Sequence, residues 1–386
     1  MTQTAAVFTV AEDSVAAGRD LGRQIRDALK RHPDAVIVFA SARFDHEALL
    51  KALAETCKPS VLVGSSSAGE FAGEQRQQGA ACALAICSSE IKFASGLGVG
   101  ISHDRSAAAH QVVAGFVGLA SNEFPYRAAL VLSDALAGHA DDLIEQLTIA
   151  TAGRYEFAGG GAGDDAKFDK TYVFHGTRVV SDAVVVLEVL STKPLGIGVQ
   201  HGWSPASEPL RVTEVSGARL VSLDGFPAIE AFEQHAERTQ QQLDRAAPLP
   251  FFVHNILGID TPAGYRLRVP LSIDRDGAVL CAAELPAGAR VHIMKASAES
   301  ATQAAVEATR TAISKLRGGQ PAAALFFDCV ATRLRLGEIF GFELEAVQQA
   351  LGTDLVGCNT YGQIARAEGQ FGGFHNCTAV VLAFPK

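Results

Sequence analysis

The chain is poor in charge: 19% of its 386 residues are Asp, Glu, Lys or Arg, and the net charge is −9. No cluster of lysines and arginines interrupts it, which argues against nucleic acid as a partner, because phosphate binding needs concentrated cations. There is no C-x-x-C pair, and the seven cysteines (Cys57, Cys82, Cys87, Cys281, Cys329, Cys358, Cys377) are odd in number. That excludes a closed disulfide framework and predicts reduced, buried thiols. Long apolar runs are missing too. Ala80–Cys87 and Val184–Val189 are far too short to span a bilayer, and the opening MTQTAAVFTVAEDS has neither the basic nor the apolar segment of a signal peptide. A cytoplasmic protein without direct membrane insertion is expected. What is abundant is apolar material, 48%, and glycine, 37 residues. That suffices for two or three domains with real cores.

Hydrophobic periodicity predicts helices over Ser14–Arg31 and Asp45–Cys57, with strands at Ala35–Ala40, Ser60–Val63, Ala80–Ile86 and Ile91–Val99. The order is helix, strand, helix, strand, glycine loop, strand, strand. It recurs from Ser106 to about His201, and again from Ala298 to the C-terminus. Between the second and third passes lie a turn at Asp224–Pro227, a polar helix over Ala228–Leu243, a break at Ala246–Pro250 and strands predicted at Phe251–Leu257, Tyr265–Ile273, Val279–Ala283 and Arg290–Met294. Asp274–Gly277 reads as a hairpin turn. The expected fold is α/β (α+β): two lobes, residues 1–220 and 221–386, with mixed sheets flanked by helices and an internally duplicated unit.

The repeated loops carry the main functional signal. Aligning Gly64 with Gly357 brings Val63 onto Val356, Ser67 onto Thr360, Gly69 onto Gly362 and Glu70 onto Gln363. In the middle loop, FAGGGAGD, Gly163 and Asp164 take the places of Gly69 and Glu70. Glycine lets backbone N–H groups approach a ligand closely and form an anion nest. The hydroxyls of Ser65, Ser66, Ser67 and Thr360 add donors, and Asn359 and Tyr361 can orient a polar guest. Equally, each loop can be a tight turn whose hydroxyls bond their own backbone. No lysine follows the second glycine in any copy, which excludes a phosphate-binding P-loop. The glycines of Gly64–Gly69 are wrongly spaced for a nucleophile elbow, so no catalytic residue is assigned.

Several segments resemble the FIST family, a sensory module named for F-box and intracellular signal-transduction proteins. VGSSSAGEF (63–71), FAGGGAGDD (157–165) and GVQHGWSPASEPLRVTEVSGARLVSLDGFPAIEAF (198–232) are similar to its N-terminal half. RVPLSIDRDGAVLCAAELPAGARVHIM (268–294), FFDCVATR (326–333), GCNTYGQIA (357–365) and FHNCTAVVLAF (374–384) are similar to its C-terminal half. The resemblance spans almost the whole chain in order, with one departure: Gln363 stands where the family's second loop usually carries an acid.

The resemblance implies a cytoplasmic ligand sensor acting through a partner. In particular it points to the stand-alone bacterial branch that binds haem, senses nitric oxide and regulates a histidine kinase. The alternative is an amino-acid or small-metabolite sensor without haem, and an enzyme of unknown reaction ranks below both. Candidate ligand-binding residues are Ser65, Ser66, Ser67, Gly69, Glu70, Gly160, Gly161, Asp164, Arg333, Asn359, Thr360, Tyr361, Gln363 and His375. A haem iron needs an axial ligand in an apolar setting. His235, near Ile229, Ala231 and Phe232 on a helix, and His254, in the expected strand FFVHNIL, are the two candidates, one or the other. Expected partners are a small-molecule ligand, a sensor histidine kinase and, in a homo-oligomer, a second copy of the chain.

Overall fold

A computed structural model describes residues 1–367, 369 and 372–386. Its α/β architecture is built from three copies of one unit. In the first, strand Ala35–Ser41 lies parallel to Val61–Ser67, and Ala81–Ser88 runs antiparallel to it with Thr2–Thr9 at the edge. In the second, Tyr126–Ser133 lies parallel to Glu156–Gly161, beside Ala183–Ser191 and Ile91–Val99. In the third, Pro321–Cys329 lies parallel to Asp354–Thr360, beside Ala379–Pro385 and Gly196–Gln200. The registers coincide: Ser67 pairs with Ser41, Gly161 with Ser133 and Thr360 with Cys329. The repeat expected from the loops is therefore a structural triplication.

Side-chain alternation explains how the three sheets meet. Ile37 and Phe39 point into a core shared with Leu130, Leu132 and Leu187 of the second sheet and Leu325, Phe327 and Leu382 of the third. Their neighbours Val36, Val38 and Ala40 point the other way, onto helices Ser14–Leu29 and His46–Cys57. Strands buried on both faces read as continuous apolar runs, which is why AVIVFA, AALVL and AAALFF show no polar alternation. The two helices of the first unit cross closely at Gly18, where a Cβ would lie 2.1 Å from the Leu49 carbonyl oxygen.

Each unit also donates a hairpin to the next sheet. Glu70–Ala72 and Gln75–Gln77 extend the third sheet, pairing Cys358 with Glu70. Val173–His175 and Arg178–Val180 extend the first, and Gln363–Arg366 with Gly373–His375 extends the second. The exchange is cyclic and locks the three units together.

A fourth, nine-stranded sheet occupies residues 204–295, between the first strand of the third unit and its helix Ala298–Lys315. The boundary expected near residue 220 falls inside strand Arg219–Leu223 of this sheet. Two expected elements differ. Tyr265–Ile273 is two strands, Gly264–Arg268 and Pro270–Ile273, with different partners. FFVHNIL is not a strand: Leu249–Phe252 is a short helix with proline in its first turn, and the strand Ile256–Thr261 starts after it. Proline preset to helical φ favours a helix start over a β ladder.

Candidate functional site

The three glycine loops follow the inner parallel strands and bond to one another. Ala68 N–H donates to Asn359 O at 2.9 Å, Asn359 N–H to Gly69 O at 2.8 Å, Gly163 N–H to Ser66 O at 3.0 Å and Gly161 N–H to Gly362 O at 2.8 Å. Donors expected to form an anion nest are therefore largely consumed in joining the units. Most loop side chains are likewise committed. Tyr172 N–H donates to Ser66 Oγ, and the Ser67 hydroxyl to Glu70. Asp164 accepts the N–H groups of Phe168, Asp169 and Lys170 at 2.7–2.8 Å, together with the Tyr361 hydroxyl. Thr360 donates to the Asp328 carbonyl and accepts from Gln363. Gly160 has no room for a side chain, since a Cβ there would meet Thr360 at 2.8 Å. His375 is buried opposite Gln363 in the third donated hairpin.

Glu70 and Gln363 occupy equivalent places and behave alike. Glu70 bonds Ser67 and accepts Ala80 N–H at 3.2 Å. Gln363 bonds Thr360 at 2.8 Å and accepts Thr378 N–H at 3.2 Å. Burial, the dominant effect, pushes the Glu70 carboxyl up to about 8, against the lowering influence of the Ser67 hydrogen bond. A protonated Glu70 is close to isosteric with the neutral amide of Gln363, which accounts for the missing acid of the third loop.

Three candidates retain free capacity. Ser65 Oγ and Asn359 Nδ2 are buried without a hydrogen-bond partner, and Asn359 is only 1% exposed. Arg333, on helix Val330–Leu336, is half-buried and forms no ion pair among the described residues; Glu338 lies instead within 3.9 Å of Arg76. Arg333 and Asn359 meet over Gly69, where a Cβ would lie 2.8 Å from Arg333 Nη1 and 2.7 Å from Asn359 Oδ1. Gly69 has φ +143°, a backbone that side chains disfavour, so both sterics and conformation keep this position bare. The three residues line a cleft of about 360 Å³ with Glu70, Arg76 and Phe340. With Glu70 protonated, the cleft carries net positive charge.

Behind the same helix lies a small apolar cavity of about 70 Å³. The inserted sheet and its helix contribute Leu249, Val269 and Leu271, and the core contributes Val330, Leu334 and Tyr361. Tyr361 stacks on Phe168 with ring centroids 4.4 Å apart. Leu334 lines both the cleft and the cavity.

Sequence reading missed a buried acid pair beneath the helix. Asp328 and Glu343 are each under 3% exposed. Burial raises both, and mutual repulsion raises Glu343 further. Arg335 stacks over Trp203 at 5.1 Å nearby. An acid ending the apolar strand AAALFFDC was the available signal. Its partner lies a helix away and has none.

The two candidate iron ligands do not suit a haem. Both ring nitrogens of His235 face neighbours, Nε2 at 3.1 Å from Asn255 Oδ1 and Nδ1 at 3.3 Å from Arg238 Nη2. His254 is exposed on the turn after the short helix, and neither histidine lines the apolar cavity or the cleft. The cavity is well below the roughly 300 Å³ at which ligand pockets begin.

The chain is thus a triplicated α/β core with an inserted sheet and a small cationic cleft over Gly69. Residues 34–225 match the FIST N domain and residues 228–366 the FIST C domain, and the chain belongs to the FIST family, sensory domains of signal transduction. No curated protein is significantly similar in sequence. Among solved structures, cyanuric acid hydrolase from A. caulinodans aligns over 100% of both chains at 8% identity and TM-score 0.35. PurLQS from Thermotoga maritima aligns over 99% of this chain and 72% of its own, at 12% identity and TM-score 0.24. Likeness this distant carries no argument about function. No helix among the described residues is long and apolar enough to cross a membrane.

Proposed function

We propose that the chain is a non-catalytic sensor of a small acidic metabolite, with an amino acid as the simplest class, bound in the cleft over Gly69. The observation that carries this reading is the Arg333 guanidinium over Gly69, which forms no ion pair among the described residues and lines the cleft beside Asn359. Arg333 presents a planar fork suited to a carboxylate, with the Asn359 amide oxygen facing the same spot. The neutral form of Glu70 removes the repulsion that a second anion would meet. Ser67, whose hydroxyl bonds Glu70, is fully buried, which disfavours a hydrolytic reading.

Occupancy would be felt through helix Val330–Leu336, which carries Arg333 toward the cleft and Ala331 into the cluster with Leu267 and Val269 of the inserted sheet. A ligand that favours one seating of this helix changes the packing at Val269 and Leu271. A signalling partner, a sensor histidine kinase in the reading that the family resemblance suggests, would respond to that change. Haem and nitric-oxide sensing rest on the resemblance alone.

Titration calorimetry of the full chain with amino acids and dicarboxylates tests the proposal. At least one should bind saturably, and Arg333→Gln should weaken it tenfold or more, about 1.4 kcal/mol. An affinity untouched by Arg333→Gln would overturn the assignment, as would the absence of any saturable heat.

A further inference from the structure

A second cleft, of about 610 Å³, lies at the opposite ends of the parallel strands. It sits between the second and third units and is lined by Arg127, Arg154, Arg317, Arg366, Lys315 and Glu156, among others. Among the described residues that line it, five are cations and one is a carboxylate, in a chain whose net charge is −9. The way the arginines are held is informative. Arg127 Nε donates to the Phe124 carbonyl at 3.2 Å, Arg154 Nη1 to the Leu119 carbonyl at 2.6 Å and Arg366 Nη1 to the Tyr155 carbonyl at 3.0 Å. Arg317 packs over the Tyr126 ring at 5.6 Å. None of these four forms an ion pair among the described residues, whereas Arg105 and Arg268 each hold a carboxylate at 2.6 Å. Backbone carbonyls fix three of these guanidinium planes, with no carboxylate among the described residues paired to their charge. Each fork thus keeps N–H groups for an external acceptor.

From this geometry we infer a second anion site, distinct from the Arg333 cleft, that takes a small molecule bearing at least two phosphate groups. Several converging guanidinium groups match a multiply charged ligand better than one carboxylate does, because each can bind phosphate oxygens bidentately. The cleft volume lies within the range for small-molecule ligands. The site joins strand ends of the second unit, at Tyr126 and Glu156, to Lys315 and Arg317 at the end of the third unit's helix. Its ligand would therefore brace the two units against each other.

The test is titration of the full chain with pyrophosphate, ATP and citrate at constant ionic strength, using wild type and the double variant Arg154→Gln/Arg317→Gln. Both substituted side chains are exposed, so the variant should melt like wild type without ligand. Pyrophosphate and ATP should bind wild type saturably, citrate at least tenfold more weakly, and the double variant should lose at least tenfold in pyrophosphate affinity. Arg333→Gln should leave this binding unchanged, which separates the two sites. No saturable binding at about 10 mM pyrophosphate, equal binding of citrate, or full affinity in the double variant would overturn the inference. So would saturable binding of an acidic peptide without pyrophosphate binding.

Discussion

Glu70 shows how a buried acid can survive without forming an ion pair among the described residues. Its carboxyl stays protonated because burial outweighs the Ser67 and Ala80 hydrogen bonds, and its value near 8 means that folding retains a proton the unfolded chain gives up near 4.5. Stability attributable to this group is therefore highest in acid and falls as pH rises from about 4.5 to 8, at up to 1.4 kcal/mol per pH unit. Glu70→Gln copies the residue already present at position 363 and should remove that loss. Urea midpoints of variant and wild type should nearly agree at pH 4.5 and diverge in the variant's favour toward pH 8. Midpoints running parallel across that range would show that Glu70 is ionised in the folded chain. The sequence exposed the Glu70/Gln363 equivalence through the aligned loops. It did not show that both positions are sealed, since burial depends on hairpins contributed from elsewhere in the chain.

At the scale of elements, the donated hairpins matter most. Phe71, 1% exposed, sits on the first unit's hairpin but packs on Phe326 and Phe340 of the third, with centroids 5.7 and 6.2 Å away. Phe71→Ala should cost about 3–5 kcal/mol. Hydrogen exchange should accelerate along Asp354–Thr360, the strand that the hairpin covers, as well as near residue 71. Acceleration confined to residues 70–77 would mean that the hairpin is an accessory. Local pattern revealed most of the triplicated elements, because their apolar runs and glycine loops are short-range signals. The exchange was not readable, since an edge strand such as Glu70–Ala72 carries no mark of the sheet it joins. FFVHNIL misled because its apolar, aromatic run suits a strand, while the prolines ahead of it favour a helical turn. That change moved His254 from an expected apolar strand to an exposed turn.

For the whole molecule, the architecture places two kinds of contact on either side of one short helix. Three sheets share a core that fixes the glycine loops, and the inserted sheet meets that core at Cys329, Ala331 and Cys377, which pack with Ile256, Leu267 and Val269. Sequence order suggested two lobes, because the insertion's strands follow the second unit without a break in composition. Only the pairing of Gly196–Gln200 with Ala379–Pro385 shows that the third unit begins before the inserted sheet. The central claim is that a ligand over Gly69 is felt by the inserted sheet through helix Val330–Leu336. Hydrogen–deuterium exchange of the full chain, with and without a saturating amino acid found by calorimetry, tests it most directly. The account predicts added protection at residues 330–336 together with a change at 269–273. Altered exchange elsewhere, with both segments unmoved while the ligand is bound, would contradict it.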